Sequence, residues 1–114
     1  MDQLLRRIPK GKLVTVGEIR KRLARDFAAD VTCPLTTGIF VRIVAEVAEE
    51  DRLKGRQRVA PYWRVIKDDG SLNPKFPGGE QRQAQHLRRE GFSAVRKGKR
   101  IVVRDFEKRL AVLR

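Results

Sequence analysis

The chain is poor in the residues that build metal or thiol chemistry, holding one cysteine, Cys33, and one histidine, His86, in 114 residues. One cysteine cannot close an internal disulfide, and a lone Cys with a lone His falls short of the ligand set of a zinc site. No apolar run approaches the roughly 18 residues of a membrane span. The start, MDQLLRRIPKGK, has neither the apolar stretch nor the small-residue cleavage site of a secretory signal. The expectation is a cytoplasmic protein, nucleoid-associated when bound, that uses no metal and no cofactor. Aromatic residues make up only 6%, too few for a platform on which successive single-stranded bases would stack.

Acidic residues are also outnumbered. Against 27 Lys and Arg stand 14 Asp and Glu, a net charge of +13. A field of that sign on a small domain draws polyanions, and nucleic acid is the commonest one a soluble domain meets. From Glu80 to Arg114 there are eleven basic and four acidic residues, so over half of the excess lies in the last third. An apolar fraction of 40% suffices for one modest core, which argues for a single compact domain; a monomer is expected.

Along the chain, DQLLRR reads as a short helix stopped by Pro9. A second helix opens near Gly17, after Thr15, with Ile19, Leu23 and Phe27 four apart. After a break at AADVTCP, the segment TTGIFVRIVAEVAEEDR keeps Ile39, Phe40, Ile43, Val44 and Val47 at helical spacing, which completes the outline of a helix-turn-helix. A short strand is expected around Trp63 to Ile66, and a helix from GEQRQAQ that stops at Gly91. Two strands flank Lys97-Gly98-Lys99, and a last helix follows, capped by Asp105. Arg96, Lys97, Lys99 and Arg100 crowd that hairpin tip, where they could clamp a phosphate strand or simply keep the hairpin soluble.

Four segments in order carry a more specific message: IPKGKLVTVGEI, CPLTTGIFVRIVAE, PYWRVIKDDGSL and FPGGEQRQAQHLRREG. Over about residues 4 to 92 they resemble the DNA-binding domain of the O6-alkylguanine-DNA alkyltransferases. In the enzymes of that family the strand P-C-H-R-V supplies a cysteine thiolate that accepts the alkyl group, its neighbouring His relays the proton, and a Glu on a later helix orients the His. Here Tyr62 stands at the nucleophile's position, Trp63 at the base's, and Glu90 matches the orienting Glu. A phenol is a poor nucleophile at pH 7 and an indole cannot accept a proton, so the resemblance implies no catalytic residue. Cys33, in the turn before the recognition helix, reads as a small buried residue, and His86, four residues before Glu90, as an ordinary surface or packing histidine, neither as a replacement.

Relatives that lack the cysteine, the alkyltransferase-like proteins, bind alkylated guanine without repairing it and hand it to nucleotide excision repair. The resemblance therefore implies a double-stranded DNA-binding protein that recognises alkylated or related damage, with nucleotide excision repair proteins as partners. The alternative is a general DNA-binding or regulatory module that keeps the fold without reading lesions. Candidate DNA contacts are Thr36, Thr37, Gly38, Arg42 and Arg64, together with the four basic residues of the hairpin tip. Candidate base-pocket residues are Tyr62, Trp63, Phe76, Gly78, Gly79 and Glu90. Two family residues used in base flipping are missing, since Gly38 stands at the position of an intercalating Arg and Val16 at that of a Tyr. Whether Tyr62, Trp63 and Phe76 line a pocket or fill it stays open on the sequence. The expected architecture is α+β, a mostly helical winged-helix-like domain over residues 1–92, with a basic hairpin and helix over 93–114.

Overall fold

The computed structural model describes residues 2–27, 34–56 and 58–111, with side chains described for 4–22, 38–56 and 58–111. Helix α1 (Asp2–Arg6) ends ahead of Pro9 and leads into a two-residue strand, β1 (Val14–Thr15). Helix α2 (Val16–Phe27) begins at once, because the Thr15 hydroxyl accepts the backbone N–H of Glu18 at 3.2 Å and satisfies one of the free amides of the first turn. Helix α3 (Pro34–Leu53) packs across α2. A 3-10 turn (Tyr62–Arg64), strand β2 (Val65–Ile66), helix α4 (Gly79–Arg89), the hairpin β3 (Ala94–Lys97) and β4 (Arg100–Val103), and a second 3-10 turn (Phe106–Arg109) complete the chain.

Strands β1 and β2 pair in parallel, Val14 opposite Val65 and Thr15 opposite Ile66, so the entry to the helix-turn-helix is fixed against the segment that carries Tyr62. Two apolar clusters sit on either side of this ribbon. One gathers Leu5, Ile8, Ile19, Val41, Ala45 and Tyr62, the other Leu13, Ile66, Leu72, Leu87, Phe92 and Val103, and Trp63 packs against both. The mixed α+β architecture is as expected, and among the described residues no helix is long and apolar enough to cross a membrane.

Two further local expectations are realised by specific chemistry. Helix α4 closes with the N–H of Gly91 on Arg88 O at 3.1 Å and that of Phe92 on Leu87 O at 3.0 Å. This pair of bonds needs the left-handed backbone of Gly91 (φ +93°) and buries Phe92 against Leu87. The hairpin turns on Gly98-Lys99 with only Gly98 at positive φ (+62°), the requirement of a type II′ turn.

Three others are corrected. The segment around Trp63 is a 3-10 turn before it is a strand, and only Val65 and Ile66 are extended. Alternation along a strand would have sent Tyr62 and Trp63 to opposite faces, whereas the tighter turn brings both rings inward. The last helix is only the 3-10 turn, because the chain then extends so that Leu13 N–H reaches Arg109 O and Ala111 N–H reaches Leu13 O, both at 2.8 Å. Asp105 precedes that turn in the left-handed region (φ 55°) and makes no side-chain cap.

The third correction concerns which face of α3 is buried. Val41, Ala45 and Ala48 turn inward, while Ile39, Phe40, Ile43 and Val47 are each about half exposed, at 50%, 49%, 50% and 52%. Small residues let the helix approach α2 and the Tyr62 turn closely, which the larger stripe would prevent.

Packing does not divide at residue 92. Val103 is part of the second cluster, and Leu72 N–H bonds Ile101 O at 2.8 Å. A chain ended at residue 92 strips this cover from Leu13, Leu72 and Leu87. It is expected to lose cooperative thermal unfolding by circular dichroism, and a truncated chain that melted like the parent would refute this.

Candidate nucleic-acid interface and the filled pocket

Tyr62 enters the interior from the 3-10 turn and is completely buried, at 0% exposure. Its ring meets Trp63 and Phe76 edge-on, each with centroids 5.3 Å apart, and His86 edge-on at 6.0 Å. Trp63 in turn stacks on His86 with centroids 4.2 Å apart and planes 17° from parallel. Such edge-on and offset contacts suit the charge distribution of aromatic rings. The space where a base pocket was considered is therefore occupied by Tyr62, Phe76 and His86.

What holds the phenol in place is a buried carboxylate. Glu49 of α3 accepts the Tyr62 hydroxyl at 3.0 Å, His86 Nε2 at 3.0 Å, Arg82 at 3.1 Å and Arg52 at 3.1 Å. A carboxylate only accepts, so the His86 proton facing it sits on Nε2. Burial would raise the Glu49 carboxyl, but donation from Arg52, His86 and Tyr62 outweighs it and holds the group below its ordinary value of 4.5. Burial holds His86 below its ordinary 6.5, with the neighbouring carboxylate opposing only in part. Burial and the Glu49 charge together raise the Tyr62 phenol, which stays protonated.

A second carboxylate repeats the arrangement one layer away. Glu90, just beyond α4, accepts the Trp63 indole N–H at 2.7 Å and Arg64 at 2.8 and 2.9 Å, while Arg64 also donates to Ile8 O at 2.6 Å. Burial raises Glu90, but the bonds from Arg64 and Trp63 leave it below its ordinary 4.5. The indole donor thus takes the place beside Glu90 that the resemblance assigns to a histidine. Gln83 of α4 ties the layers together, donating to Val65 O at 2.9 Å and accepting Asn73 N–H at 2.9 Å.

Of the expected base-pocket residues, Tyr62, Trp63, Phe76 and Glu90 are brought together, and Gly78 and Gly79 form the left-handed turn (φ +77° and +71°) that opens α4. Arg64 is corrected from DNA contact to internal strut, since its guanidinium is spent on Glu90 and Ile8. The side chains of Thr36 and Thr37, and all of Cys33, lie outside the described residues. Sequence reasoning missed Glu49, Arg52 and Arg82 as site residues and took His86 as an ordinary surface or packing histidine. The signal for Glu49 was its place four residues after Ala45, next to the small-residue face of α3.

The exposed candidates gather elsewhere. Two shallow depressions of about 490 and about 250 Å³ share Gly38, Lys67 and Asn73, and Ile39 lines the smaller one. Arg20 and Arg100 line the larger one beside Asp68 and Asp69, and Arg42 and Lys75 line the smaller. Arg42 is exposed and pairs with Glu46 at 3.3 Å, and Arg100 pairs with Asp69. Arg96, Lys97 and Lys99 stand exposed on the hairpin. Among the described residues no group of three or more His, Cys, Asp or Glu side chains could hold a metal ion.

A family profile described as 6-O-methylguanine DNA methyltransferase, DNA binding domain, matches residues 2–92. The chain belongs to this family. Two solved structures share its fold. The S. pombe Atl1 protein in complex with damaged DNA containing O6-carboxymethylguanine is 22% identical with a TM-score of 0.62, covering 97% of this chain and 96% of that one. The S. pombe ATL protein in complex with DNA is 22% identical with a TM-score of 0.65, covering 96% and 89%. No curated protein matches the sequence. Within the family's fold, the filled interior and the cationic depressions are separate parts of the molecule: one is packing, the other is surface.

The filled interior makes stability depend on pH in one direction. Glu49 and Glu90 have folded-state pKa values below 4.5, so their contribution is complete above that pH and is lost as pH falls through the lowered values. His86, held below 6.5, binds a proton more readily when unfolded, so the loss begins on acidification below about 6.5. Thermal melts from pH 8 to pH 3 should show a flat upper limb and a falling acid limb. Glu49→Gln should lower stability at pH 7 by about 2 kcal/mol, since it keeps the size but removes the charge that four donors serve. A variant that melts with the parent at pH 7 would remove Glu49 from the centre of this network.

Proposed function

We propose that this protein is a non-enzymatic, double-stranded DNA-binding member of its family that recognises O6-alkylguanine or related damage. The observation that carries the non-enzymatic part is the state of Tyr62: fully buried, its hydroxyl committed to Glu49, and its pKa raised. At the position the resemblance assigns to an alkyl-accepting thiolate there is thus a protonated phenol, and beside it an indole whose only N–H is hydrogen-bonded to Glu90. Binding is supported by family membership over residues 2–92, the +13 charge, and the cations around Gly38 and on the hairpin. The damage-reading part is supported by the fold shared with a protein solved on DNA containing O6-carboxymethylguanine. As in the sequence-based expectation, handover to nucleotide excision repair, action as a monomer and a place in the cytoplasm belong to this proposal.

A second reading is favoured by one observation. Because Tyr62, Phe76 and His86 fill the interior, a flipped base can enter only by displacing them. A DNA-binding module that no longer reads lesions would have this packing.

One titration separates the two. Fluorescent duplexes with and without a single O6-methylguanine are compared over several salt concentrations. Both should show a steep loss of affinity with salt, the mark of phosphate contacts. Damage reading predicts at least about tenfold tighter binding to the damaged duplex, worth about 1.4 kcal/mol. Coincident curves at every salt concentration would replace it with the second reading. Intact-protein mass after incubation with the damaged duplex should be unchanged, and a gain of one methyl group would overturn the non-enzymatic assignment.

A further inference from the structure

Exposed cations stand at both ends of the strands. Strands β1 and β2 run side by side toward the depressions at Gly38, where Gly17 and Lys67, just past their C-terminal ends, line the larger one, and the hairpin turn delivers Arg100 to the same place. The opposite ends of these strands meet elsewhere. Gly11, ahead of β1, donates its N–H to Glu90 at 3.4 Å and accepts Arg109 Nε at 3.2 Å, while Arg104, past the end of β4, donates its N–H to Ser93 O at 2.8 Å. Arg100 and Arg104 are thus separated by the length of β4, about 13 Å at the rise of an extended chain.

At this second end a depression of about 260 Å³ is lined by Ser93, Arg104, Lys108 and Arg109, with Asp105 the one acidic side chain in its wall. Arg104 and Lys108 are exposed and make no ion pair among the described residues. Arg109 is held ready: its guanidinium lies 4.7 Å from the centroid of the Phe92 ring and its Nε is spent on Gly11 O, which leaves the two terminal nitrogens to donate elsewhere. Lys10 and Lys12 flank Gly11 and are exposed. The Glu90 carboxylate beside Gly11 is already spent on Arg64 and Trp63. Arg88 and Arg89 stay outside the set, because cations in the last turn of α4 are accounted for by the helix dipole.

From this placement we propose that the hairpin base and the second 3-10 turn form a second phosphate-binding surface, which takes the backbone of a neighbouring DNA duplex while the Gly38 end holds the first, so that one chain bridges two duplexes. Guanidinium and ammonium groups beside a hydroxyl suit phosphate oxygens. A duplex fits better than a single strand, because the one ring in the wall, Phe92, is 6% exposed and offers no face for an unpaired base. A chain already seated on DNA meets further duplex at a high local density of phosphate, so a modest second contact forms at high effective concentration. One straight duplex cannot serve both ends, since the strands and both apolar clusters lie between them. The inference rests on the DNA-binding reading above and does not depend on whether damage is read.

The test mixes the full chain with two undamaged duplexes, one carrying a donor dye and the other an acceptor. Sensitised emission should rise as protein is added and fall again in excess, when each duplex has its own protein, and the complex at the maximum should sediment as one chain with two duplexes. Arg104→Ala with Lys108→Ala should lower that emission at least about fivefold while changing the affinity for a single duplex less than about twofold, because the first surface is untouched. Lys54→Ala with Arg58→Ala removes the same charge from the far end of α3 and should bridge as the parent does. All four side chains are exposed, so thermal melts should match the parent and confirm that each variant is folded.

Binding of one duplex with no sensitised emission would overturn the bridge and leave DNA binding intact. Equal loss in both double variants would overturn it too, by reducing the effect to net charge. Failure of the parent to bind any duplex would defeat the DNA-binding reading first and the bridge with it. Sedimentation of the protein alone as a dimer that Arg104→Ala with Lys108→Ala dissociates would reassign this end to a second copy of the chain.

Discussion

A carboxylate withdrawn from water must be supplied with donors, and the interior of this protein is arranged around one that has them. Glu49 projects from α3 toward the 3-10 turn and α4, and it receives Tyr62 from the first and Arg82 and His86 from the second. Arg52, one turn along α3, completes the set. Because Arg52 and Arg82 keep about a third of their side chains in solvent, at 35% and 38%, the network takes one charge fully inside and leaves its counter-charges partly hydrated. That lowers the desolvation cost that commonly makes buried ion pairs unprofitable. It also sets where α3 can lie, since sliding the helix by one residue would leave Glu49 buried among groups that cannot donate to it.

The same arrangement explains how this small interior can hold two bulky aromatics. Tyr62 and Trp63 bring large rings into a small core and one polar proton each, and each proton has a dedicated carboxylate. Had either been unpaired, its burial would have cost about 1–3 kcal/mol. Glu90 shows how little a buried carboxylate asks of its partners. A carboxylate that would orient an imidazole accepts an indole N–H and a bidentate guanidinium with equal ease, because all it requires is donors in its plane.

Features encoded by a few adjacent residues were legible in the sequence. The Thr15 cap, the Gly91 stop and the Gly98 turn each depend on one residue's side chain or backbone freedom, and each formed where its residues predicted. The four ordered motifs likewise led to the family. What could not be read was the choice between two helical faces. Ile39, Phe40, Ile43 and Val47 offer more apolar surface than Val41, Ala45 and Ala48, so periodicity alone selects the wrong face of α3. The decision is tertiary: α3 meets Tyr62 and α2 at close range, and only the small-residue face with Glu49 beside it fits there. The 3-10 turn at Tyr62 and the extension after Arg109 were hidden for the same reason, being fixed by distant partners, Glu49 and Leu13.

That choice of face has a corollary at the surface. A helix that packs through its small residues must present its large ones outward, and in α3 the outward residues begin beside Gly38 at the edge of a cationic surface. The interior and the exterior of α3 are therefore coupled by geometry and not by any shared side chain. Glu49 fixes the rotation of the helix about its axis, and the rotation fixes where Ile39 and Phe40 point. A change that let α3 rotate by one residue, about 100°, would carry the apolar stripe away from the depressions even with every surface cation in place. The phenol and its carboxylate thus hold in register which face of α3 is turned outward.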